Sequence, residues 1–447
     1  MREMKDSGVE WIGEIPKNWK VERLRYIIKD YKSGPFGSTL KMDGLLADGN
    51  ILIYSPEHIT LHSSDSDKNL YLPDEREEEM SQFIVKENDI LFPIVGSLGK
   101  AMIITADMPK GIINQRVAKF QIDNTIVDQD YFMWLFAKSN FYQPYIDLSC
   151  RGSFIVNLTK AIINDMPCVI QPLAIQKKIS TYLDAKCSKI DEIIEKEQAI
   201  IEKLKEYKLS TITEVVTSGL NQKREMKDSH VLSIGRIPTN WDVTKLKYLF
   251  GNGDDGLKIG PFGSAIKGKT LESGLYKIYN QAHLINNDFS LNRHYVSEDT
   301  FNDLKAYEVK HGDVLFSMMG TIGKCQVMPK GYPKGIMDSH LLKARLNEKV
   351  IPEFFIYAYD KDFSNQVIQQ LLYTSNGTIM NGLNSTILKN VYIALPPLEE
   401  QEEIVEFLNK FTKNIDDRIV VKTKIVEKLQ EYKKSLIYEV VTGKKEV

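Results

Sequence analysis

The sequence predicts an α+β protein in which two mixed α/β domains with substantial β content are separated by two long helices, arranged as an internal pseudo-twofold repeat. Three observations lead to this fold class. Motifs recur at an offset of about 220 to 226 residues. The first part of each copy is rich in Gly, Pro, Asn and β-branched residues, which favours short strands between turns. The second part of each copy contains neither Pro nor Gly over about 45 residues, which favours one long helix.

The repeat is best seen in six short motifs that occur twice and in the same order. The hexapeptide REMKDS, for example, stands at residues 2–7 and at 224–229. Such self-similarity indicates duplicated domains. The other pairs are Gly13–Trp19 with Gly235–Trp241, Gly34–Ser38 with Gly260–Ser264, Asp89–Lys100 with Asp313–Lys324, Met108–Gly111 with Met328–Gly331, and Pro172–Gln176 with Pro397–Gln401.

Apolar runs such as 51–54 and 313–317 are predicted strands of the globular parts. The last residues of the chain resemble the end of the first helix, and REMKDS follows that helix, so both termini are expected to lie near one place. The predicted segments are a first globular domain at 1–171, a first long helix at 172–220, a second globular domain at 221–396 and a second long helix at 397–447.

Both helical segments carry apolar residues at alternating spacings of four and three, which predicts an antiparallel coiled coil between them. At 1.5 Å per residue, each helix is about 65 Å long. The alternative is that each helix packs on its own globular domain. The predicted contact row, called the seam below, consists of Ile179, Leu183, Ile190, Ile193, Ile200, Leu204, Tyr207, Ile404, Leu408, Phe411, Ile415, Ile425, Leu429, Tyr432 and Leu436.

The composition of the chain narrows its class. Its net charge is −2, from 58 Lys and Arg against 60 Asp and Glu, so any nucleic-acid binding must come from local basic patches. No stretch is apolar enough to span a membrane, and the first residues lack the apolar core of a signal peptide. Four widely spaced cysteines form neither a disulfide framework nor a zinc site, so a cytoplasmic location is expected.

Three features of the chain resemble the specificity subunit of type I restriction–modification enzymes. They are the Gly-x-Ile-Pro-x-x-Trp openings at 13–19 and 235–241, the Pro-Leu-x-x-Gln helix starts, and the order globular–helix–globular–helix. The resemblance covers essentially the whole chain. It implies two target recognition domains that recognise a bipartite, asymmetric double-stranded DNA site, with helices that set the distance between the half-sites. It further implies two methyltransferase (M) subunits and restriction/translocase (R) subunits as partners. S-adenosylmethionine, ATP and Mg are then expected on those partners, and no cofactor in this chain.

The Gly-Pro-Phe-Gly-Ser loops are candidate phosphate contacts, because glycines let a backbone approach a phosphate and Ser and Lys supply donors. The alternative is a tight turn with Phe36 or Phe262 buried. The candidates are Lys32, Gly34, Gly37, Ser38 and Lys41 in the first copy, and Lys258, Gly260, Gly263, Ser264 and Lys267 in the second.

The Gly-x-x-Gly-Lys stretches that follow a predicted strand offer Ser97, Lys100, Thr321 and Lys324 as further phosphate contacts. They lack the spacing of a nucleotide-binding P-loop, which excludes that function. A β-turn with a solvated lysine is the alternative.

Residues that contact bases should differ between the copies, because unlike half-sites need unlike side chains. Arg pairs with guanine, and Asn or Gln with adenine, by two hydrogen bonds. A surface loop without a DNA role is the alternative. The aligned but unlike candidates are Asn114, Gln115 and Arg116 against Ser339 and His340 with Asp338 before them, and Arg151 and Ser153 against Asn376 and Thr378.

No catalytic or metal-binding arrangement is predicted. His58 and His283 occupy matched positions without further ligands nearby, which favours core or turn histidines. The formal dinucleotide pattern at 251–256 is interpreted as a loop, and the acidic run at 74–79 as a solvated face. Two alternatives to a recognition subunit remain, a stand-alone DNA nuclease or methylase and a coiled-coil adaptor that binds only proteins.

Overall fold

The structure is a computed structural model, and the chain divides into two compact units. Unit 1 comprises residues 1–197 and 424–447, and unit 2 comprises residues 198–423. Both boundaries fall within the long helices, and the division into four segments predicted from the sequence stays a prediction. The structure describes residues 2–35, 39–40, 44–64, 68–95, 99–149, 157–221, 223–253, 256–291, 294–318, 323–360, 367, 369–371, 383 and 385–447.

In its described residues, unit 1 has short strands, most of them paired antiparallel, and four short helices. Its strands are β1 (Met4–Asp6), β2 (Glu14–Pro16), β3 (Lys20–Arg23), β4 (Ile28–Ser33), β5 (Ile51–Tyr54), β6 (Tyr71–Leu72), β7 (Ile90–Pro93), β8 (Met102–Ile103), β9 (Gly111–Ile113), β10 (Val117–Ile122) and β11 (Pro167–Ile170). Its short helices are α1 (Pro56–Leu61), α2 (Gln129–Phe136), α3 (Gln143–Ser149) and α4 (Lys160–Asp165).

Two sheets of unit 1 meet at one edge. The first is antiparallel in the order β4-β10-β7-β8, and the second has the order β6-β5-β9 with β5 parallel to β9. Strand β9 leads directly into β10, so one short turn joins the two sheets. Buried aliphatic and aromatic side chains such as Phe92 and Phe120 fill the core below them.

Unit 2 contains strands β12 (Met226–Asp228), β13 (Arg236–Pro238), β14 (Asp242–Lys245), β15 (Lys258–Ile259), β16 (Tyr276–Tyr279), β17 (Tyr295–Val296), β18 (Glu308–Val309), β19 (Asp313–Ser317), β20 (Cys325–Val327), β21 (Gly335–Met337), β22 (Leu341–Arg345) and β23 (Tyr392–Leu395). Between them lie α6 (Gly263–Ile266), α7 (Gln281–Ile285), α8 (Glu298–Asp303), α9 (Pro352–Tyr359) and α10 (Ser385–Asn390).

The sheets of unit 2 have the orders β15-β22-β19-β20 and β17-β16-β21-β18, with β16 parallel to β21. Here too a short turn, between β21 and β22, joins the two sheets. The expected α+β class, with a mixture of sheet and helix and two long helices, is therefore confirmed.

The two long helices are α5 (Leu173–Ser218) and α11 (Leu398–Val441). At the start of each, a fully buried glutamine side chain satisfies three backbone groups. The Gln176 amide donates to the carbonyls of Gln171 (2.7 Å) and Ile126 (3.0 Å), and it accepts from the Asp128 N–H (2.7 Å). This explains why the motif contains Gln, because the buried amide ties the first helical turn to the loop before α2.

Gln401 makes the equivalent bonds in unit 2, to the carbonyls of Pro396 (2.9 Å) and Lys349 (3.0 Å) and from the Ile351 N–H (2.8 Å). The glycine after each helix has a positive φ, +74° at Gly219 and +73° at Gly443, which a helix C-cap favours.

Segments of the two helices pack antiparallel within each unit. In unit 1, Lys433 forms an ion pair of 2.6 Å with Asp191, and the Arg2 guanidinium contacts Glu446 at 2.7 Å, so the termini lie together as expected. In unit 2, the Lys208 ammonium lies 2.8 Å from Asp416, while Gly219, just after the end of α5, lies against Glu400, near the start of α11.

The predicted seam is only partly buried, and the exposed part is a correction. Ile179, Leu183, Ile190, Ile404, Leu408, Ile415 and Leu436 are buried, and Leu204, Phe411 and Leu429 are half-buried. The exposed members are Ile193, Ile200, Tyr207, Ile425 and Tyr432, although the Tyr207 ring still packs edge-on against Phe411 of the other helix, with centroids 5.5 Å apart. On a straight helix, side chains spaced seven residues apart drift around the axis by about 20° per heptad. The buried face therefore moves to neighbouring positions, and Cys187 and Val426 are buried.

Among the described residues, no helix is both long and apolar enough to cross a membrane.

Candidate nucleic-acid interface

The turn between β9 and β10 carries three of the predicted base-contacting residues of unit 1. The Asn114 N–H donates to the Tyr54 carbonyl (3.0 Å), and the Asn114 side-chain oxygen accepts the Arg116 N–H (2.9 Å). This local bond fixes the turn and leaves the Gln115 and Arg116 side chains exposed. The turn therefore presents an amide and a guanidinium on a framework held by two sheets.

Gly34, from the first Gly-Pro-Phe-Gly-Ser loop, packs directly against this turn. Its N–H donates to the Val117 carbonyl (2.9 Å), and a Cβ at this position would overlap the Asn114 carbonyl oxygen. The glycine is required because two backbones approach closely here. The structure thus brings together two sets of candidates that lie 80 residues apart in the sequence.

Unit 2 has the same frame with different side chains. The Asp338 N–H donates to the Tyr279 carbonyl (2.9 Å), and the Asp338 carboxylate accepts the His340 N–H (2.9 Å) and lies 3.0 Å from the His340 ring nitrogen Nδ1. Gly260 donates to the Leu341 carbonyl (2.9 Å), and a Cβ on it would overlap the Asp338 carbonyl oxygen. His340 is exposed, and Ser339 is half-buried.

The tyrosine that accepts the hydrogen bond from each turn packs against a histidine at a matched position, Tyr54 against His58 and Tyr279 against His283. The Tyr54 hydroxyl donates to the Pro109 carbonyl (2.7 Å), and burial raises the pKa of Tyr54 to about 12. His58 is 1% exposed and bonds through its ring to Ser55 and Asn69. The interpretation of these histidines as core residues is confirmed.

In unit 2, Tyr279 donates to the Pro333 carbonyl (2.6 Å), and the fully buried His283 bonds to Asn280 and Leu291. Burial lowers the pKa of the His283 imidazole.

Each unit also contains a buried ion pair, and neither pair was predicted from the sequence. In unit 1, the Lys119 ammonium lies 2.7 Å from the Asp89 carboxylate, which also accepts from Gln121 (2.9 Å). The available signal was the repeated Asp at the start of a buried strand, opposite a Lys in the middle of an apolar strand.

In unit 2, Arg345 takes the place of Gln121. It lies 2.9 Å from Asp313, with Lys343 at 3.8 Å from the same carboxylate. Burial lowers the pKa of the Lys343 ammonium, and the Asp313 carboxylate beside it opposes this shift.

The lysines predicted to contact phosphate differ in their surroundings. Lys100 is exposed, and Lys32 is half-buried, bonded to the Gln82 side chain. Lys324 is only 6% exposed, and its ammonium lies 3.5 Å from the fully buried Asp360 carboxylate. This is a correction to the sequence prediction, because an ammonium held inside unit 2 by a carboxylate does not reach a phosphate.

In the second Gly-Pro-Phe-Gly-Ser loop, Gly263, Ser264 and Lys267 are exposed, Lys258 is half-buried, and Phe262 is 86% exposed. The alternative interpretation, a tight turn with Phe262 buried, is therefore wrong for unit 2. The candidates Gly37, Ser38, Lys41, Ser97, Arg151, Ser153, Thr321, Asn376 and Thr378, and also Phe36, lie outside the described residues.

No group of three or more His, Cys, Asp or Glu side chains suited to hold a metal ion occurs in the part of the chain that the structure describes. The arrangement in each unit is a rigid turn with exposed hydrogen-bonding groups beside a close-packed glycine loop. Such a site can bind a ligand through complementary shape and hydrogen bonds.

Comparison with known proteins agrees with a recognition module. The model of the type I restriction modification DNA specificity domain matches residues 16–206 and 257–428, which is most of the chain. The chain therefore belongs to this family of DNA specificity domains.

Similar relatives include the MjaVIII specificity subunit of a type I restriction enzyme from Methanocaldococcus jannaschii, which is 26% identical over 441 residues, covering 96% of this chain and 93% of that protein. The EcoKI specificity subunit from Escherichia coli K12 is 23% identical over 280 residues, covering 61% of this chain and 56% of that protein. These matches favour neither a stand-alone nuclease or methylase nor an adaptor.

Two solved structures share the fold. One, from work on complex assembly and conformational transition of the type I R-M system, has a TM-score of 0.70 at 14% identity and covers 96% of this chain and 98% of that one. The HsdS subunit from Thermoanaerobacter tengcongensis has a TM-score of 0.53 at 14% identity, with the same coverage.

Proposed function

We propose that the chain is a non-catalytic specificity subunit that recognises a bipartite, asymmetric double-stranded DNA site, with one half-site for each unit. The observation that carries this proposal is the pair of turns at 114–116 and 338–340. Their backbones are held by equivalent bonds, to Tyr54 and to Tyr279, yet their side chains are Asn-Gln-Arg and Asp-Ser-His. A shared frame with unlike hydrogen-bonding groups suits two half-sites of unlike sequence.

The phosphate contacts that position the DNA would come from the neighbouring loops. Lys100 and Lys267 are exposed lysines, and Ser264 is an exposed hydroxyl. Such contacts are independent of sequence and set the register in which the turn meets the bases. They also supply local positive charge in a chain whose net charge is −2.

The long helices would act as the scaffold, as an antiparallel coiled coil in a chain with an internal pseudo-twofold repeat. The ion pairs Asp191–Lys433 and Lys208–Asp416 support the antiparallel pairing. Two M subunits and R subunits would assemble on this scaffold in the cytoplasm. S-adenosylmethionine, ATP and Mg would be bound by those partners and not by this chain.

The proposal is tested by co-expressing the chain with a methyltransferase subunit from the same genome and mapping methyladenine on random DNA. We expect a split motif with unlike halves that requires this chain, and a change in only one half when residues 226–397 are exchanged for those of a relative. Methylation that does not depend on the chain, or none despite an active partner, would contradict it.

A sharper test replaces Arg116 by Ala. A bidentate contact between Arg and guanine contributes about 1–3 kcal/mol of discrimination, so one position of the first half-site should become degenerate. The matched control is Lys17→Ala, which removes one positive charge from an exposed site of unit 1. This control should leave both halves of the motif unchanged. Binding is to be compared at one stated salt concentration, because non-specific binding depends steeply on salt.

A further inference from the structure

Phe262 is an aromatic side chain that projects from unit 2 into solvent. It is 86% exposed, although burial of a phenylalanine is normally strongly favourable. Leu232, which lies elsewhere in unit 2, is an apolar side chain exposed to the same extent. An exposed phenylalanine in a rigid segment is a candidate contact residue, because its ordering costs little when it binds.

The segment around Phe262 is held on both sides. Before it, Pro261 is buried and fixes one backbone angle, and Gly260 packs against the Asp338 carbonyl. After it, the Phe262 carbonyl accepts the Ala265 N–H (2.9 Å), and the buried Ile266 anchors the short helical turn. The ring is therefore presented from a framework that is already ordered.

The position of Phe262 places it beside the turn proposed to contact bases. A Cβ on Gly263 would lie 3.8 Å from the Ser339 hydroxyl, and Gly260 touches Asp338, so both flanks of the phenylalanine contact this turn. Exposed side chains in the same segment include Ser264 and Lys267, and the adjoining turn carries the exposed His340. A basic and aromatic surface of this kind suits nucleic acid, whose phosphates meet the charge and whose bases meet the ring.

The same phenylalanine occurs in both copies of the motif, at 36 and at 262, whereas the turn residues next to it differ between the copies. A residue that selected a particular base would be expected to differ with the half-site. An identical aromatic instead suits a contact that both half-sites share. The face of the base stack is such a feature, because every base has one.

We propose that Phe262 inserts between two adjacent bases of the second half-site as an apolar wedge that unstacks them without selecting their sequence. Apolar side chains are known to unstack and kink duplexes in this way. The proposal rests on the function proposed above. It assigns to Phe262 the deformation of the DNA and leaves base selection to the turn at 338–340.

The test uses the full chain in complex with its methyltransferase subunit, and duplexes that contain the mapped site with 2-aminopurine at successive positions of the second half. The wild-type complex should raise 2-aminopurine fluorescence at one base step. Phe262→Ala should abolish this rise and weaken binding by roughly 5- to 150-fold, while the methylated motif stays the same. Phe262→Leu should keep much of the rise, because leucine is also an effective wedge.

Leu232→Ala is the matched control, since it removes an equally exposed apolar side chain of the same unit, and it should leave the fluorescence rise intact. A rise that persists in Phe262→Ala would overturn the wedge while leaving the proposed function standing. Loss of the methyltransferase subunit from Phe262→Ala in the absence of DNA would also overturn it, in favour of a protein contact. Absence of any chain-dependent motif in the wild-type complex would instead remove the proposed function, and the wedge with it.

Discussion

The stretch Gly-x-x-Gly-Lys occurs in both units, but its lysine has opposite surroundings in the two. Lys100 of unit 1 is exposed, whereas Lys324 of unit 2 is buried beside the Asp360 carboxylate. The residue aligned with Asp360, at the end of the corresponding helix, is Ala137 in unit 1. The carboxylate of Asp360, which lies 36 residues after Lys324 in the sequence, therefore accounts for the difference in exposure between the two lysines.

A motif that is repeated in the sequence therefore need not repeat its role. Asp360 also accepts the Cys325 N–H (2.8 Å), so in unit 2 the lysine and the carboxylate help to fix the start of β20. In unit 1, no such carboxylate stands at 137, and the lysine remains at the surface, where it can meet a phosphate. A solvated lysine and a buried one are distinguished only by residues distant in the sequence.

The largest expected effect is the loss of Asp360. Asp360→Ala leaves the Lys324 ammonium buried without this carboxylate and removes the acceptor of the Cys325 N–H. Breaking a buried ion pair from one side typically costs about 3–5 kcal/mol. We expect a decrease of this size in the free energy of unfolding, measured by urea denaturation, with hydrogen exchange showing the loss in unit 2.

Lys100→Met is the matched control in unit 1, and it should change the free energy of unfolding by less than about 0.5 kcal/mol, as is usual for surface positions. The double variant Asp360→Leu with Lys324→Met should recover most of the stability, because no charge is then left buried. An unaltered unfolding midpoint in Asp360→Ala would refute the structural role of the pair.

Local pattern was enough to predict the two long helices and strands such as 51–54 and 313–317, because glycine, proline and apolar spacing act over a few residues. It also selected the turns at 114–116 and 338–340 and the glycine loops. It did not show that Gly34 and Gly260 lie against those turns, because that contact depends on strand pairing across the sheet. The partner of Lys324 and the bonds of Gln176 were missed for the same reason, since each joins distant segments.

The second prediction compares the two glycine contacts. Gly260→Ala places a methyl group against the Asp338 carbonyl, and overpacking of this kind costs about 1–3 kcal/mol. The turn at 338–340 must shift, so methylation should lose fidelity in the second half-site alone. Gly34→Ala should act in the same manner on the first half-site, through Asn114.

Mapping methyladenine for each glycine variant checks this prediction. Gly331→Ala offers a control for a general glycine effect, because nothing lies within 4 Å of a Cβ there, although its φ of +88° adds backbone strain. Equal loss of both halves in Gly260→Ala would contradict independent recognition by the two units.

The third prediction separates the two lysines by their effect on DNA binding. Lys100→Gln should weaken binding uniformly across sequences and reduce the slope of log affinity against log salt by about 1, because one phosphate contact is lost. Lys324→Gln should lower the free energy of unfolding and leave this slope unchanged. Titrations of both variant complexes at several salt concentrations measure the slopes, and equal slopes for Lys100→Gln and wild type would remove Lys100 from the interface.

The smallest expected effect is on pH dependence in unit 2. Burial lowers the pKa of His283 below its ordinary value of 6.5, so the folded unit favours the neutral ring. A histidine with a lowered folded pKa contributes stability that is present above the unfolded pKa and is lost as pH falls through the folded pKa. The free energy of unfolding should therefore decrease as pH falls below about 6.5, and it should decrease less in His283→Gln, which lacks the titrating ring.

Urea denaturation across this range, with the two proteins measured side by side, gives the difference. Parallel curves for the two proteins would show that His283 does not govern the acid sensitivity of the frame that holds the turn at 338–340.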